Sequence, residues 1–197
     1  MTNKSVIELV PGRKHFFYYP TNVAIVGVSA SKVNFMPCAW NTGLSYDPFL
    51  YGVSIGIERA TRSFIDEKKE FSVNFVDFQQ VQLIRSLGRS SGSEINKVKH
   101  FDVKYTHGEI LDCPILECAY LSYECSLHSR VVLGDHVLYV GEAKLMHVNN
   151  DIRDETIVDT SKTAPLLYLG VDHYLTTDPS SLKNLKDLPF HYTSSKK

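Results

Sequence analysis

Residues 51–57 alternate cleanly, with Tyr51, Val53, Ile55 and Ile57 on one side and Gly52, Ser54 and Gly56 on the other. A period of two is the spacing of a strand with one buried face. Residues 71–76 (FSVNFV) alternate again and place Ser72 beside Asn74. Residues 23–29 (VAIVGVS) form a short β-branched run, which predicts a buried strand. Between the second and third of these strands in chain order, Thr61 or Ser63 is the expected N-cap of a short helix through Lys69. Val81, Ile84 and Leu87 share one face of a second predicted helix over residues 78–87, with Gly88 as its stop signal. Residues 94–101 read as a short helical turn. Residues 115–149 read as a long hairpin turning at Gly134, Asp135 and His136, with Ala119, Leu121, Tyr123, Cys125 and Leu127 on one face. Many strands with short inserted helices predict a mainly β, antiparallel barrel or sandwich. No G-x-G-x-x-G or Walker A sequence is present, which argues against the nucleotide folds that carry them.

The chain has 197 residues, 43% hydrophobic and 22% charged, a length and composition that favour one domain with a sizeable core. We expect a domain over residues 1–175 and a polar C-terminal extension over 176–197, whose cluster Leu188, Pro189, Phe190, His191 and Tyr192 could dock on a neighbouring surface. A formal net charge of −1 gives no overall field toward nucleic acid or an anionic membrane. No apolar run approaches the roughly 18 residues of a membrane span. The N-terminus lacks the apolar segment of a signal peptide, so a cytoplasmic protein is expected. The four cysteines, Cys38, Cys113, Cys118 and Cys125, form no C-x-x-C pair and match no zinc template, so no metal site is expected and the thiols are expected to be reduced.

The chemistry lies between residues 34 and 63. A strand face carrying only Gly52, Ser54 and Gly56 lets a flat ligand approach the backbone. Residues 34–42, taken as a loop, supply amides and hydroxyls. A helix N-terminus with Thr61, Arg62 and Ser63 suits a phosphate, because unpaired N–H groups, hydroxyls and a guanidinium converge there. A planar ring at one end and a phosphate at the other suggest flavin mononucleotide. Each residue also has a structural reading: Gly52 and Gly56 suit a bulge, Thr61 and Ser63 a helix cap, Arg62 a solvated charge and Trp40 a core position.

The ordered set Val33, Asn34, Pro37, Ala39, Trp40, then Ser45, Asp47 and Pro48, then residues 59–63, then Phe71, Val73 and Asn74, resembles the flavin reductase-like, FMN-binding split-barrel family. The later runs "ECSLHSRVVLGDHVLYVGEA" and "APLLYLGVDHY" extend the resemblance over residues 20–174. It departs from the common pattern where Ala39-Trp40-Asn41-Thr42 replaces S-x-F-x, so contacts at Ala39 would be through backbone. The resemblance implies a Greek-key split β-barrel and FMN as cofactor. It implies that Asn34, Ala39, Trp40, Asn41 and Thr42 edge the ring, that Ser54 and Ile55 run beside it, and that Ala60, Thr61, Arg62 and Ser63 hold ribityl and phosphate. Ser90, Ser91 and Gly92 are further cofactor candidates. His136 matches the family histidine near the nicotinamide, with a turn histidine as the alternative; His128 and Tyr174 are lesser candidates.

The implied activity is hydride transfer from NADH or NADPH to bound flavin, in a homodimer with FMN at the interface. The aromatic run Phe16, Phe17, Tyr18 and Tyr19 suits such a contact surface and equally a core strand. Two other functions stay open: a flavoredoxin-like FMN carrier reduced by a protein donor, and a non-catalytic module holding another planar ligand.

Overall fold

The computed structural model describes residues 4–154 and 156–185. The expected cluster at 188–192 lies outside the described residues. Seven strands form the main sheet: β1 (Ala24–Ser29), β2 (Val33–Cys38), β3 (Asn41–Tyr46), β4 (Phe49–Gly56), β5 (Glu70–Val76), β6 (Ala119–Leu133) and β7 (His136–Val148). Their order is β2-β1-β5-β6-β7-β4-β3, and every pairing is antiparallel. The last four strands in chain order, β4 to β7, lie as β5-β6-β7-β4, a Greek key. The expected mainly β, antiparallel architecture with few short helices is the one observed.

The two edge strands, β2 and β3, are consecutive in the chain, and only Ala39 and Trp40 separate them. A sheet whose opposite edges are joined by two residues has to curl until those edges meet. Ser54 N donates to Trp40 O at 2.8 Å and marks the place.

Curling gives the sheet an inside and an outside, and β1 is buried on both. Ala24, Val26 and Val28 join Val53, Ile55, Phe71, Val73, Val137 and Tyr139 in the interior cluster. Ile25 points the other way, with Phe35, to meet Ile84 and Leu87. That double burial explains why residues 23–29 read as an unbroken apolar run.

Helix α1 (Ala60–Lys68) puts Ile65 into the interior cluster, with Phe64 packed against it. Helix α2 (Val81–Arg89) and the short α3 (Lys97–His100) cover the outer face. Three boundaries differ from expectation. The N-cap of α1 is Arg59, so Thr61 and Ser63 lie inside its first turn. Residues 78–80 form a separate 3-10 turn before α2, and α2 runs one residue past Gly88. Residues 34–38 and 41–42 are strand, in β2 and β3, and only the two-residue link at 39–40 is not.

The hairpin β6–β7 turns at Gly134 and Asp135, with Gly134 at φ +61°, a left-handed conformation that glycine adopts at low cost. Ser72 and Asn74 do sit together, in a buried network. Asn74 Nδ2 donates to Ile25 O (2.9 Å) and Ser72 Oγ (2.8 Å), and its Oδ1 accepts from Leu116 N (3.0 Å) and Ser122 Oγ (2.8 Å). All four bonding positions of that amide are filled, so its part is structural.

Candidate functional site

The connection at 39–40 is pinned from several directions. Cys38 Sγ donates to Trp40 O (3.2 Å) and to Ser54 O (3.3 Å). Burial pushes the Cys38 thiol up to about 12, so it stays protonated and serves as a donor. Asn41 Nδ2 donates to Cys38 O (2.8 Å) and Asn22 O (2.9 Å), and Asn41 Oδ1 accepts from the Tyr51 hydroxyl. The Asn41 amide is therefore engaged in holding the turn, which runs against its expected place at the ring edge.

Trp40 projects outward from this pinned turn and is 43% exposed, so it is not the core residue that its type suggests. Its Nε1 donates to the Tyr19 hydroxyl at 2.8 Å. Burial pushes that phenol up to about 12, keeping it neutral. The Trp40 ring lies 4.5 Å from the His136 ring, centroid to centroid, at 38°. His136 opens β7 opposite Gly56, and its Nδ1 is 2.7 Å from Asp135 Oδ1. The hydrogen bond to His136 holds the Asp135 carboxyl below its usual range. With Nδ1 engaged, Nε2 is the ring nitrogen left for a ligand.

From Gly56 the chain runs directly to the phosphate-like end. Ile57 N donates to Asp135 O at 3.0 Å, and α1 begins three residues later. The α1 N-terminus has no side-chain cap and no acidic residue in its first turn. Its leading N–H groups therefore face a cleft of about 460 Å³ with their partial positive charge uncompensated by a cap. Lys32, Arg59, Arg62, Ser63 and Ser93 line the cleft, together with Glu58, whose carboxylate pairs with Arg59 Nε at 3.1 Å. Three cations face one carboxylate, which is the electrostatics of an anion site.

A third group closes the wall beside α1. Asn34 is 1% exposed and donates through Nδ2 to Thr61 Oγ1 at 2.9 Å. Its Oδ1 is buried and has no hydrogen-bond partner. Gly92 packs against that oxygen so closely that a Cβ at 92 would overlap it. Three residues singled out from distant parts of the sequence thus meet at one point.

Several other expected site residues are placed differently. Ile55 turns its side chain into the core, at 1% exposure, so only its backbone lies along the outer face. The cleared face is partly roofed: a Cβ on Gly52 would meet Leu44 Cδ1 at 2.9 Å, and one on Gly56 would meet Glu58 Oε2 at 2.6 Å. Thr42 is exposed, with its hydroxyl donating to Gly43 O at 3.2 Å, and Ala39 is half-buried. The Ser63 hydroxyl donates back to Ala60 O at 2.8 Å. Ser90 Oγ donates to Ser86 O at 2.9 Å, and Ser91 Oγ lies 2.6 Å from Ser93 Oγ. His128 is exposed on β6 away from the hairpin tip, and Tyr174 packs on Tyr168 at 5.1 Å.

Sequence reasoning missed Lys32, Arg59 and Ser93. Arg59 lies within the matched run 59–63 but was given no role, and Ser93 directly follows Gly92. Lys32 carried no signal, because only the curl of the sheet brings the β1–β2 turn to α1.

An antiparallel sheet closed at a pinned aromatic turn, with a cationic helix N-terminus beside it, defines a class of proteins that hold a planar, phosphate-bearing group. Residues 16–176 match the family model described as flavin reductase like domain, and the chain belongs to that family. Among solved structures it is similar to an FMN-binding protein from Thermus thermophilus with bound p-hydroxybenzaldehyde, at 34% identity and a TM-score of 0.79, over 93% of this chain and all of that one. Flavoredoxin from Methanosarcina acetivorans shares the fold at 24% identity and a TM-score of 0.81, over 93% of this chain and 97% of that one. An NADH-dependent FAD reductase of Streptomyces globisporus is 27% identical over 66% of this chain and 71% of its own length.

Proposed function

We propose that this protein binds FMN and accepts reducing equivalents for it from NADH or NADPH. The observation that carries this reading is the N-terminus of α1, with no side-chain cap and no acidic residue in its first turn, at a cleft lined by Lys32, Arg59 and Arg62. The residues present fit FMN: an anion cradle at one end, an exposed ring surface at the other, and between them a buried Asn34 oxygen lacking a donor. The FMN-binding protein of Thermus thermophilus supports the choice of flavin, and the NADH-dependent reductase of Streptomyces globisporus supports the choice of donor.

In this reading the Ala60 and Thr61 backbone N–H groups, with Arg62 and Ser63, hold the phosphate. Lys32 and Arg59 add long-range attraction. Asn34, Ala39 and Ser54 edge the ring from the pinned side, and Asn41 acts behind them by fixing the turn. Thr42 lies at the exposed rim, Ile55 offers its backbone, and Gly92 keeps the wall close. When bound, FMN supplies the two-electron acceptor. The chain's own work is positional. Trp40 and His136 form a tilted, part-exposed aromatic pair against which a nicotinamide is oriented, and orientation of two rings in contact makes transfer effectively intramolecular.

A homodimer belongs to the same proposal. Ile57, Val132 and Leu133 are exposed at 50%, 69% and 54% around the hairpin tip, next to Trp40. Clustered apolar exposure of this kind suits a partner surface. A monomer mass in light scattering at micromolar protein would reject it. We also assign the FMN-binding split-barrel domain to residues 1–175, with residues 176–197 a polar extension, and the protein to the cytoplasm, where its free thiols would stay reduced. No helix among the described residues is long and apolar enough to cross a membrane.

The deciding experiment is the absorption spectrum of the purified protein with added FMN, followed by anaerobic NADH and NADPH. Uptake of flavin and bleaching by either nucleotide is the expected result. Flavin uptake with bleaching only by dithionite would reject direct nicotinamide use and point to a protein donor. No flavin uptake would overturn the proposal as a whole.

A further inference from the structure

A second cleft, of about 550 Å³, opens beside the Tyr19 that holds Trp40. Its walls include three consecutive basic residues, Arg13, Lys14 and His15, and the aromatic rings of Phe16, Phe17 and Tyr19. Arg13 and Lys14 are exposed and make no ion pair with the described residues. His15 Nε2 is buried and has no hydrogen-bond partner. An unpaired buried ring nitrogen costs free energy unless a ligand or water completes it.

This cleft is joined to the site already described. Tyr19 bonds Trp40, Trp40 lies on His136, and His136 bonds Asp135. His136 dominates in holding the Asp135 carboxyl below its usual range, and Lys14 adds the smallest of the attractions on it. The basic residues therefore line the same cleft as Tyr19, the hydrogen-bond partner of Trp40. The α1 cleft with Arg62 is a separate anion site, and the two share no lining residue.

We propose that this second cleft binds the phosphorylated adenosine half of the dinucleotide donor, with phosphate on Arg13 and Lys14 and the adenine against the aromatic wall. The inference rests on the reading of this chain as a nicotinamide-dependent flavoprotein. The chemistry is that of a heteroaromatic ring carrying a dianionic phosphate: guanidinium and ammonium donors take the phosphate, and aromatic side chains take the purine face. Two phosphates of a dinucleotide could occupy the basic end, the 2′-phosphate of NADPH or the pyrophosphate common to both nucleotides.

The test uses the FMN-loaded protein and the double variant Arg13→Ala/Lys14→Ala, with adenosine 2′,5′-bisphosphate and 5′-ADP as calorimetric probes. Loss of two charge-assisted contacts weakens a probe by about tenfold or more, while FMN affinity stays unchanged. Weakening of the 2′,5′-bisphosphate alone assigns the 2′-phosphate to the cleft and makes NADPH the donor. Equal weakening of both probes assigns the pyrophosphate. Equal affinities of wild type and variant for both probes, or no binding of either probe to wild type, would overturn the proposal. If Arg13- and Lys14-dependent binding is found but neither nucleotide bleaches the flavin, the cleft stands and the reductase reading fails.

Discussion

Trp40 and His136 are 96 positions apart in the sequence, and their rings lie 4.5 Å apart. One projects from the two-residue link between the sheet's edges, and the other opens β7 just past the hairpin turn. Neither is placed by its neighbours in sequence. Each is placed by a backbone anchor: the Ser54–Trp40 hydrogen bond on one side and the Gly56–His136 pairing on the other.

Replacing either ring removes this pair. An aromatic contact of this kind contributes about 0.5–1.5 kcal/mol beyond its buried area, roughly threefold to tenfold in a rate or affinity. Trp40→Ala is expected to lower the anaerobic rate of flavin bleaching by nucleotide within that range. His136→Ala should do the same while leaving FMN binding, measured by fluorescence titration, nearly unchanged. An unaltered stopped-flow rate in both variants would remove the pair from the nicotinamide site.

Gly92→Ala tests the wall at Asn34. The added methyl would overlap Asn34 Oδ1, so the Asn34 side chain or the 90–93 segment has to move. Overpacking of a tight site costs about 1–3 kcal/mol. We expect a lower Tm and weaker FMN binding together, because the same shift disturbs the Asn34–Thr61 bond at the start of α1. Unchanged Tm and unchanged flavin affinity would mean that the contact has no consequence.

Lys97 predicts an alkaline effect. Its side chain is 3% exposed, and Nζ donates to Leu87 O at 2.7 Å and Phe35 O at 3.1 Å, tying α3 to the end of α2 and to β2. Desolvation lowers its pKa from 10.5 to about 8, with Arg59 adding a smaller repulsion. Between those two values the unfolded chain binds more protons than the folded one, so this group's contribution to stability rises with pH across the window. The full difference is roughly 3 kcal/mol. Urea melts at pH 7.5 and pH 10, compared between wild type and Lys97→Met, isolate it from the tyrosines and cysteines. The wild type should gain relative to the variant at the higher pH; parallel curves would contradict the assignment.

Glu124 predicts an effect of the same sign in the acid range. It is fully buried, and its carboxylate accepts from the backbone N–H groups of Glu109 (2.7 Å), Ile110 (3.0 Å) and Leu111 (2.8 Å), with His147 Nε2 at 2.7 Å. Burial works against its charge, but the three backbone donors and His147 outweigh that cost and hold its pKa below the ordinary 4.5. The stability it supplies is complete above 4.5 and is lost as pH falls toward the folded value. Glu124→Ala leaves three N–H groups facing a buried void, and its cost at pH 7 is expected at about 3–5 kcal/mol. The difference from wild type should narrow below pH 4. A difference independent of pH would show that packing alone accounts for it.

Much of the fold was legible because it rests on local rules. Period-two alternation in residues 51–57 and 71–76 marked β4 and β5, and Gly134-Asp135 marked the turn of the long hairpin. The A-T-R-S segment marked a helix N-terminus, although its N-cap is Arg59 and Thr61 is instead bonded to Asn34. Residues 34–42 read as a loop because proline, cysteine and amides interrupt the apolar pattern. Outside the link at 39–40 they are strand because the paired edges of β1 and β4 satisfy their backbone.

The sequence by itself determined the class of strand-rich fold, the residue types around the site and the family pattern that they spell. Only the tertiary structure decided which of those residues meet. Asn34, Thr61 and Gly92 touch because the sheet curls, and the Asn41 amide is engaged in holding the turn. Lys32 joins the cleft at α1, and Tyr19, from the segment that carries Arg13, Lys14 and His15, meets Trp40, through packing between separate stretches of chain. Periodicity reports whether a residue faces inward or outward. Which outward residues become neighbours depends on contacts distant in sequence, and those are fixed only when the core is buried and the edges close.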